Sequence, residues 1–248
     1  MKQAYFRFYN GLNDFLETNR REVSFQYTFQ GRQSVKHLIE ALGVPHTEVE
    51  RILVNGEPVT FGYLVEDYDQ VAVHPPPLAP GGVIEAAEQE QQDSARRFIL
   101  DNHLGKLAGY LRMLGFDSLY RNDYQDGELA LSASQEGRTL LTRDRRLLMR
   151  SIVTEGYCVR HLDPERQIEE VIQRYNLYAS IRPFQRCLRC NGVLEPVAKE
   201  EVIDRLEPLT RLYFEEFRAC PACGQVYWKG SHYERMLKFI ERLVRKAA

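Results

Sequence analysis

No apolar run in the 248 residues approaches the ~18–20 needed to span a bilayer, so no membrane association is expected. The first residues, Met1-Lys2-Gln3-Ala4-Tyr5-Phe6-Arg7, lack the apolar core of a signal peptide, and the expected location is the cytoplasm. Cysteine is scarce, with five in the chain, and a reducing cytosol argues against structural disulfides. No residue type dominates and aromatics reach 11%, which excludes a fibre or a disordered tail. The 44% hydrophobic and 27% charged content suits one large domain or two to three small ones. The net charge of −2 conceals an asymmetry. Residues 1–95 carry −7, residues 96–180 carry +1 and residues 181–248 carry +4. An acidic front thus precedes a mildly basic rear, a weak pointer to a polyanion.

The stretch His74-Pro75-Pro76-Pro77-Leu78-Ala79-Pro80-Gly81-Gly82 can continue neither a helix nor a central strand. A polar run, Glu85 to Asp93, follows it. This reading makes 1–75 a first domain, 76–95 a linker, 96–180 a second domain and 181–248 a third segment with a terminal helix.

In the first domain Val23, Phe25, Tyr27 and Phe29 alternate with polar residues, as a strand does. Ser34 caps an expected helix with Val35, Leu38, Ile39 and Leu42 on one face, ended by Gly43 and Pro45. Asn55-Gly56 between Ile52-Leu53-Val54 and Pro58-Val59 signals a hairpin. Strands at Ala4–Tyr9 and Val71–Val73 complete an α+β pattern of the β-grasp order. That order resembles the ubiquitin-like sulfur carriers of molybdopterin and thiamine synthesis, by pattern rather than by motif. Their chemistry needs a free C-terminal Gly-Gly. Gly81-Gly82 is internal and reads as linker.

Beyond the linker, strands expected at 97–100, 118–120, 139–142 and 157–162 alternate with helices at 104–114, 126–135, 147–149 and from Pro164 to Tyr175. The alternation implies an α/β domain with a parallel sheet. In such sheets ligands bind at the edge where the strands end. Asp101, Asp144 and Asp163 each stand at or just past a strand end, and Asp123, Asp126 and Glu128 lie near the start of the second helix. Carboxylates gathered at one rim repel and need counter-charge. Mg²⁺ or Mn²⁺ supplies it and is suited to phosphodiester hydrolysis. Helix capping is the competing role for Asp163 before Pro164, for Asp144, for Asp126 and for Asp101 or Asn102. Arg143, Arg145 and Arg146, with Lys106 and Arg112, are candidates for phosphate contact or for a solvated surface.

The run Asp101-Asn102-His103-Leu104-Gly105-Lys106-Leu107-Ala108-Gly109-Tyr110-Leu111-Arg112-Met113-Leu114-Gly115-Phe116-Asp117 resembles the opening of the mut-seven C-terminal RNase family. Leu140-Leu141-Thr142-Arg143-Asp144-Arg145 resembles that family's second signature. The likeness spans about 96–240, and the front segment resembles the ubiquitin-like domain that accompanies some members. It implies a PIN-like fold and metal-dependent RNA cleavage, with Asp101 and Asp144 at motif positions. Members often pair acids near Asp126, but here Gly127 separates Asp126 from Glu128. Which of the two serves stays open, with Asp123 a looser fit.

Cys187-Leu188-Arg189-Cys190 and Cys220-Pro221-Ala222-Cys223 are two CxxC pairs. Two such turns make a tetrahedral four-sulfur site, so structural Zn²⁺ is expected in a zinc ribbon. The family resemblance implies the same. Cys158 reads as a buried small side chain. Trp228 and His232 are candidates for base stacking and phosphate contact, or for packing over the ribbon.

The reading is a cytoplasmic metal-dependent ribonuclease acting on RNA, with single-stranded DNA not excluded. The alternative is a non-catalytic RNA-binding adaptor that engages a partner through the ubiquitin-like domain. The charge split suggests an intramolecular contact of the acidic front domain with the basic C-terminal region.

Overall fold

The computed structural model describes residues 1–77 and 96–245. Most of the expected linker, with Gly81-Gly82, lies outside the described residues, as does Lys246. The chain divides into two compact units, Met1–Leu78 with Tyr124–Val159 and Ala79–Asp123 with Arg160–Ala248.

In the first unit, β1 (Lys2–Phe8), β2 (Phe25–Phe29), β3 (Arg51–Val54), β4 (Glu57–Val59) and β5 (Gln70–His74) form a sheet of order β2-β1-β5-β3-β4. β1 and β5 are parallel and the other pairs antiparallel. Alternate residues Ala4, Phe6 and Phe8 of β1 are buried with Val71 and Val73 of β5. Helix α1 (Val35–Ala41) buries Val35, Leu38 and Ile39, and the Ser34 hydroxyl accepts the His37 amide, as a cap should. β2 is an edge strand, so Phe25 and Tyr27 are only half-buried and Val23, ahead of it, is exposed.

The same unit holds a helix at Asp126–Glu136, β8 (Thr139–Thr142), a short helix at Arg145–Leu148 and β9 (Gly156–Cys158). β8 and β9 pair in parallel. The front domain is fastened to this segment by its 3₁₀ turn at His46–Glu48. One His46 ring nitrogen contacts the Val153 carbonyl at 2.9 Å, and the other meets Glu40 at 2.7 Å. The Glu48 carboxylate, 2% exposed, accepts the Cys158 amide at 2.7 Å.

In the second unit β6 (Phe98–Leu100) and β7 (Ser118–Tyr120) are parallel and joined through α2 (Gly105–Met113). Helix α2 buries Leu107, Ala108 and Leu111. In chain order the Asp126–Glu136 helix is α3 and the Arg145–Leu148 helix is α4. α5 (Pro164–Arg174) follows, with Ile168, Val171 and Ile172 buried. The last strand was expected through Leu162 but stops at Cys158. The carboxylate of Glu170 takes the amides of Arg160 and His161 at 2.9 and 3.1 Å, donors a longer strand would have used.

The C-terminal segment is an antiparallel sheet of β10 (Glu195–Val197), β11 (Phe217–Ala219) and β12 (Val226–Trp228). Between β10 and β11 lie α6 (Lys199–Val202) and α7 (Pro208–Tyr213), two helices the sequence reading did not anticipate. Helix α8 (Ser231–Arg245) buries Phe239, Ile240 and Leu243, with the Phe239 ring 5.0 Å from that of Tyr110 on α2.

Candidate functional site

The four sulfurs of Cys187, Cys190, Cys220 and Cys223 lie within 4.8 Å of one another. Cys187 and Cys223 are 3.6 Å apart, and Cys190 and Cys220 3.4 Å. A tetrahedron of Zn–S bonds of about 2.3 Å spaces its sulfurs about 3.8 Å apart, so the set fits zinc closely. The two turns are built alike. The Asn191 amide donates to the Cys187 carbonyl at 2.9 Å, and the Gly224 amide to that of Cys220 at 2.8 Å. A side chain on Gly192 would bring its Cβ to 2.8 Å from the Cys220 sulfur. The backbone can pass the sulfurs there only as glycine.

The thiols alone cannot all ionise at neutral pH. Burial opposes charge on Cys187, but the Tyr227 hydroxyl and the amides of Cys190 and Arg189 outweigh it and bring it to about 7. Cys190 is pushed up to about 12, first by desolvation and then by its sulfur neighbours. Successive thiolates repel, and a divalent cation is the counter-charge that relieves four of them.

The ribbon is tied to the family-like motif by three residues. Arg112 is buried, and its guanidinium donates to the carbonyls of Ser118, Leu188 and Arg189 at 3.0–3.1 Å. Asn191 donates to Asp117 at 2.8 Å and accepts the Ser118 amide at 2.9 Å. Arg112 therefore holds the first cysteine turn; the expectation of a surface phosphate contact from it is corrected by its burial. Sequence reading missed Asp117 and Asn191, whose types carry no signal apart from this contact.

Asp101 follows β6 directly and is 7% exposed. Its carboxylate does not cap the turn that it opens. The Tyr120 hydroxyl donates to the Asn102 carbonyl at 2.9 Å and pins that turn. Asp144 stands two residues after β8, exposed, with its Oδ1 accepting the Arg146 amide at 2.8 Å. Its own amide donates to the Thr142 hydroxyl at 2.9 Å, which sets the turn at the strand end. Asp163 accepts the amides of Glu165 and Arg166, so it caps α5. Asp123 is exposed and chelated by Arg121 at 2.8 and 2.9 Å, and that hydrogen bond holds its carboxyl below the usual range. Asp126 is 3.8 Å from Arg150. Glu128 accepts the Gln125 amide at 3.2 Å in a capping box. Asp126, Glu128 and Asp144 belong to the first compact unit, and Asp101, Asp123 and Asp163 to the second.

Lys106, Arg143 and Arg146 are exposed. Arg145 is exposed as well, and it donates to the Phe15 carbonyl of the front domain at 2.9 Å. Trp228 is 38% exposed. His232 is exposed and accepts from Arg235, apart from the cysteine cluster.

Residues 96–240 match the family model described as Mut7-C RNAse domain, and residues 1–78 match the model described as Mut7-C ubiquitin. The chain belongs to the Mut7-C RNAse domain family. Among curated proteins and solved structures, none matches. The Mut7-C assignment accounts for the ubiquitin-like front, the parallel ladders and the four-cysteine cluster. No helix among the described residues is long and apolar enough to cross a membrane.

Proposed function

We propose that this Mut7-C chain is a metal-dependent, PIN-like ribonuclease that hydrolyses RNA phosphodiester bonds. The observation that carries the reading is the Mut7-C RNAse match over residues 96–240. Two placements support it. Asp101 and Asp144 each follow the C-terminal end of a parallel strand, where open α/β sheets collect ligands. Asp101 is also buried at that end of its strand.

In this reading Asp101, Asp144 and one of Asp126, Glu128, Asp123 or Asp163 hold Mg²⁺ or Mn²⁺. When bound, the cation supplies counter-charge to the carboxylates and Lewis acidity at the phosphate. Asp144, Asp163 and Glu128 also carry helix ends, and Asp126 is the least committed of the acids beside α3. Arg143, Arg146 and Lys106 hold the RNA backbone by charge. Trp228 stacks on a base, and His232 contacts phosphate. The zinc of the ribbon is structural. We place the protein in the cytoplasm, with the acidic front domain weakening RNA binding at the basic C-terminal region.

The decisive assay incubates the wild type with labelled RNA and single-stranded DNA in Mg²⁺ or Mn²⁺, beside Asp101→Asn and Asp144→Asn. Each variant is expected to lose cleavage by at least about a hundredfold while keeping its fold and zinc. Full cleavage by both variants removes the site. RNA binding without cleavage by the wild type favours the adaptor reading.

A further inference from the structure

The segment between the two cysteine pairs has two apolar faces, and only one is covered. Inward, Val202, Leu206, Phe217 and Val226 form a buried cluster, with Val197 and Phe214 packed against it. Outward, Leu209, Leu212 and Tyr213 are 69, 67 and 71% exposed. They occupy positions i, i+3 and i+4 of α7, so they line one side of the helix. Single exposed apolar residues are ordinary. Three large ones on adjacent turns make a stripe, the signature of a surface that meets another molecule.

The charge around the stripe states what that molecule must be. Residues 199–216 hold six acids, Glu200, Glu201, Asp204, Glu207, Glu215 and Glu216, against three bases. Each base is engaged within the ribbon. Lys199 pairs with Glu215 at 2.6 Å, Arg205 donates to the Gly224 carbonyl, and Arg211 donates to the Leu206 carbonyl at 2.8 Å. Lys229 takes Glu216 at 2.6 Å. Glu200, Glu201, Asp204 and Glu207 have no ion pair among the described residues. The surround is thus negative although the C-terminal segment as a whole is positive. It repels a polyphosphate, so RNA is a poor occupant. The chain's own stretch from Glu85 to Asp93 is acidic too, with Glu85, Glu88, Glu90 and Asp93, and has the wrong sign.

We propose that the outward face of α7 is a docking site for a basic amphipathic segment of another protein. Its apolar side chains cover Leu209, Leu212 and Tyr213, and its Lys or Arg residues face the four unpaired acids. The inference is independent of the nuclease reading.

The test uses the full zinc-loaded chain and two synthetic helical peptides. Both carry leucines at i, i+3 and i+4 spacing; one has lysine at its other positions and the other glutamate. Trp228 is the single tryptophan, and its ring contacts Phe214 at the end of α7, so its fluorescence reports occupancy. The lysine peptide is expected to bind at least about tenfold tighter than the glutamate peptide. Leu209→Ser with Leu212→Ser is expected to weaken it by about tenfold or more. Asp204→Lys with Glu207→Lys leaves the stripe and inverts the preference between the peptides, and it serves if the serine variant loses zinc or helix content. Equal binding of the two peptides, or binding untouched by both double variants, overturns the proposal. A dimer abolished by the serine variant assigns the face to a second copy. RNA that displaces the lysine peptide and loses affinity in the serine variant assigns it to nucleic acid.

Discussion

The guanidinium of Arg145 lies over the ring of Phe15, 5.1 Å from its centroid, while its Nη1 donates to the Phe15 carbonyl at 2.9 Å. Arg145 follows Asp144 directly, so a side chain of the ubiquitin-like domain's neighbour in space helps hold the turn that carries a candidate metal ligand. Arg145→Ala is expected to lower stability by about 1–2 kcal/mol. It should leave the salt dependence of RNA binding unchanged. A phosphate contact would instead reduce that slope by nearly 1. Thermal unfolding and a salt titration of RNA affinity measure the two effects.

Glu48 reaches from the front domain to the amide of Cys158, on a strand ladder 110 positions away. Glu48→Ala leaves that buried amide without its acceptor, at a cost of about 1–3 kcal/mol. Peptide-resolved maleimide labelling should then find Cys158, now 7% exposed, reactive in the variant and protected in the wild type. Equal protection would show that the contact does not fasten the two segments. The same contact means that simple deletion of the front domain strips β9 of a hydrogen-bond partner. Neutralising Glu50 and Glu57, both exposed, is the cleaner test of whether front-domain charge weakens RNA binding.

Gly192→Ala places a methyl group 2.8 Å from the Cys220 sulfur and 3.5 Å from that of Cys190. The sulfurs must spread, so zinc affinity is expected to fall by about tenfold or more, read with a chromogenic chelator. Loss of zinc should unfold β10–β12 and leave the front domain folded, because that domain has its own core of Phe6, Phe8, Leu38 and Ile39.

His74 stacks on Tyr9 with centroids 4.2 Å apart. Burial first, and Arg51 second, hold its pKa below the ordinary 6.5. The folded chain therefore favours the neutral ring, and the unfolded chain binds more protons just below 6.5. Stability from this group is present above that pH and is lost as the pH falls below it. Denaturation midpoints at a series of pH values should show the decline, and His74→Phe should flatten it.

Local elements were legible where one side-chain pattern decides them. Ser34 caps α1 and Asn55-Gly56 turns β3 into β4 as their types dictate. Pro164 starts α5 with Asp163 as its cap, so the structural role weighed for that acid is the one its hydrogen bonds display. The cysteine spacing announced its cluster, because each CxxC pair makes its own turn. The helices α6 and α7 were not legible. They are short, and Val202 of α6 is helical only because the ribbon sheet offers a surface to bury it, beside Leu206 in the bend that follows.

The sequence by itself determined the segment types, the pairing of the four cysteines and the family, because these rest on short-range periodicity and on motifs contiguous in the chain. Only the tertiary structure decided how the basic residues are spent. Arg112 and Arg145 look alike as exposed-phosphate candidates in the sequence, yet one clamps a cysteine turn and the other grips Phe15. An arginine binds whichever carbonyl, ring or phosphate the fold brings to it, and that choice depends on residues far away along the chain.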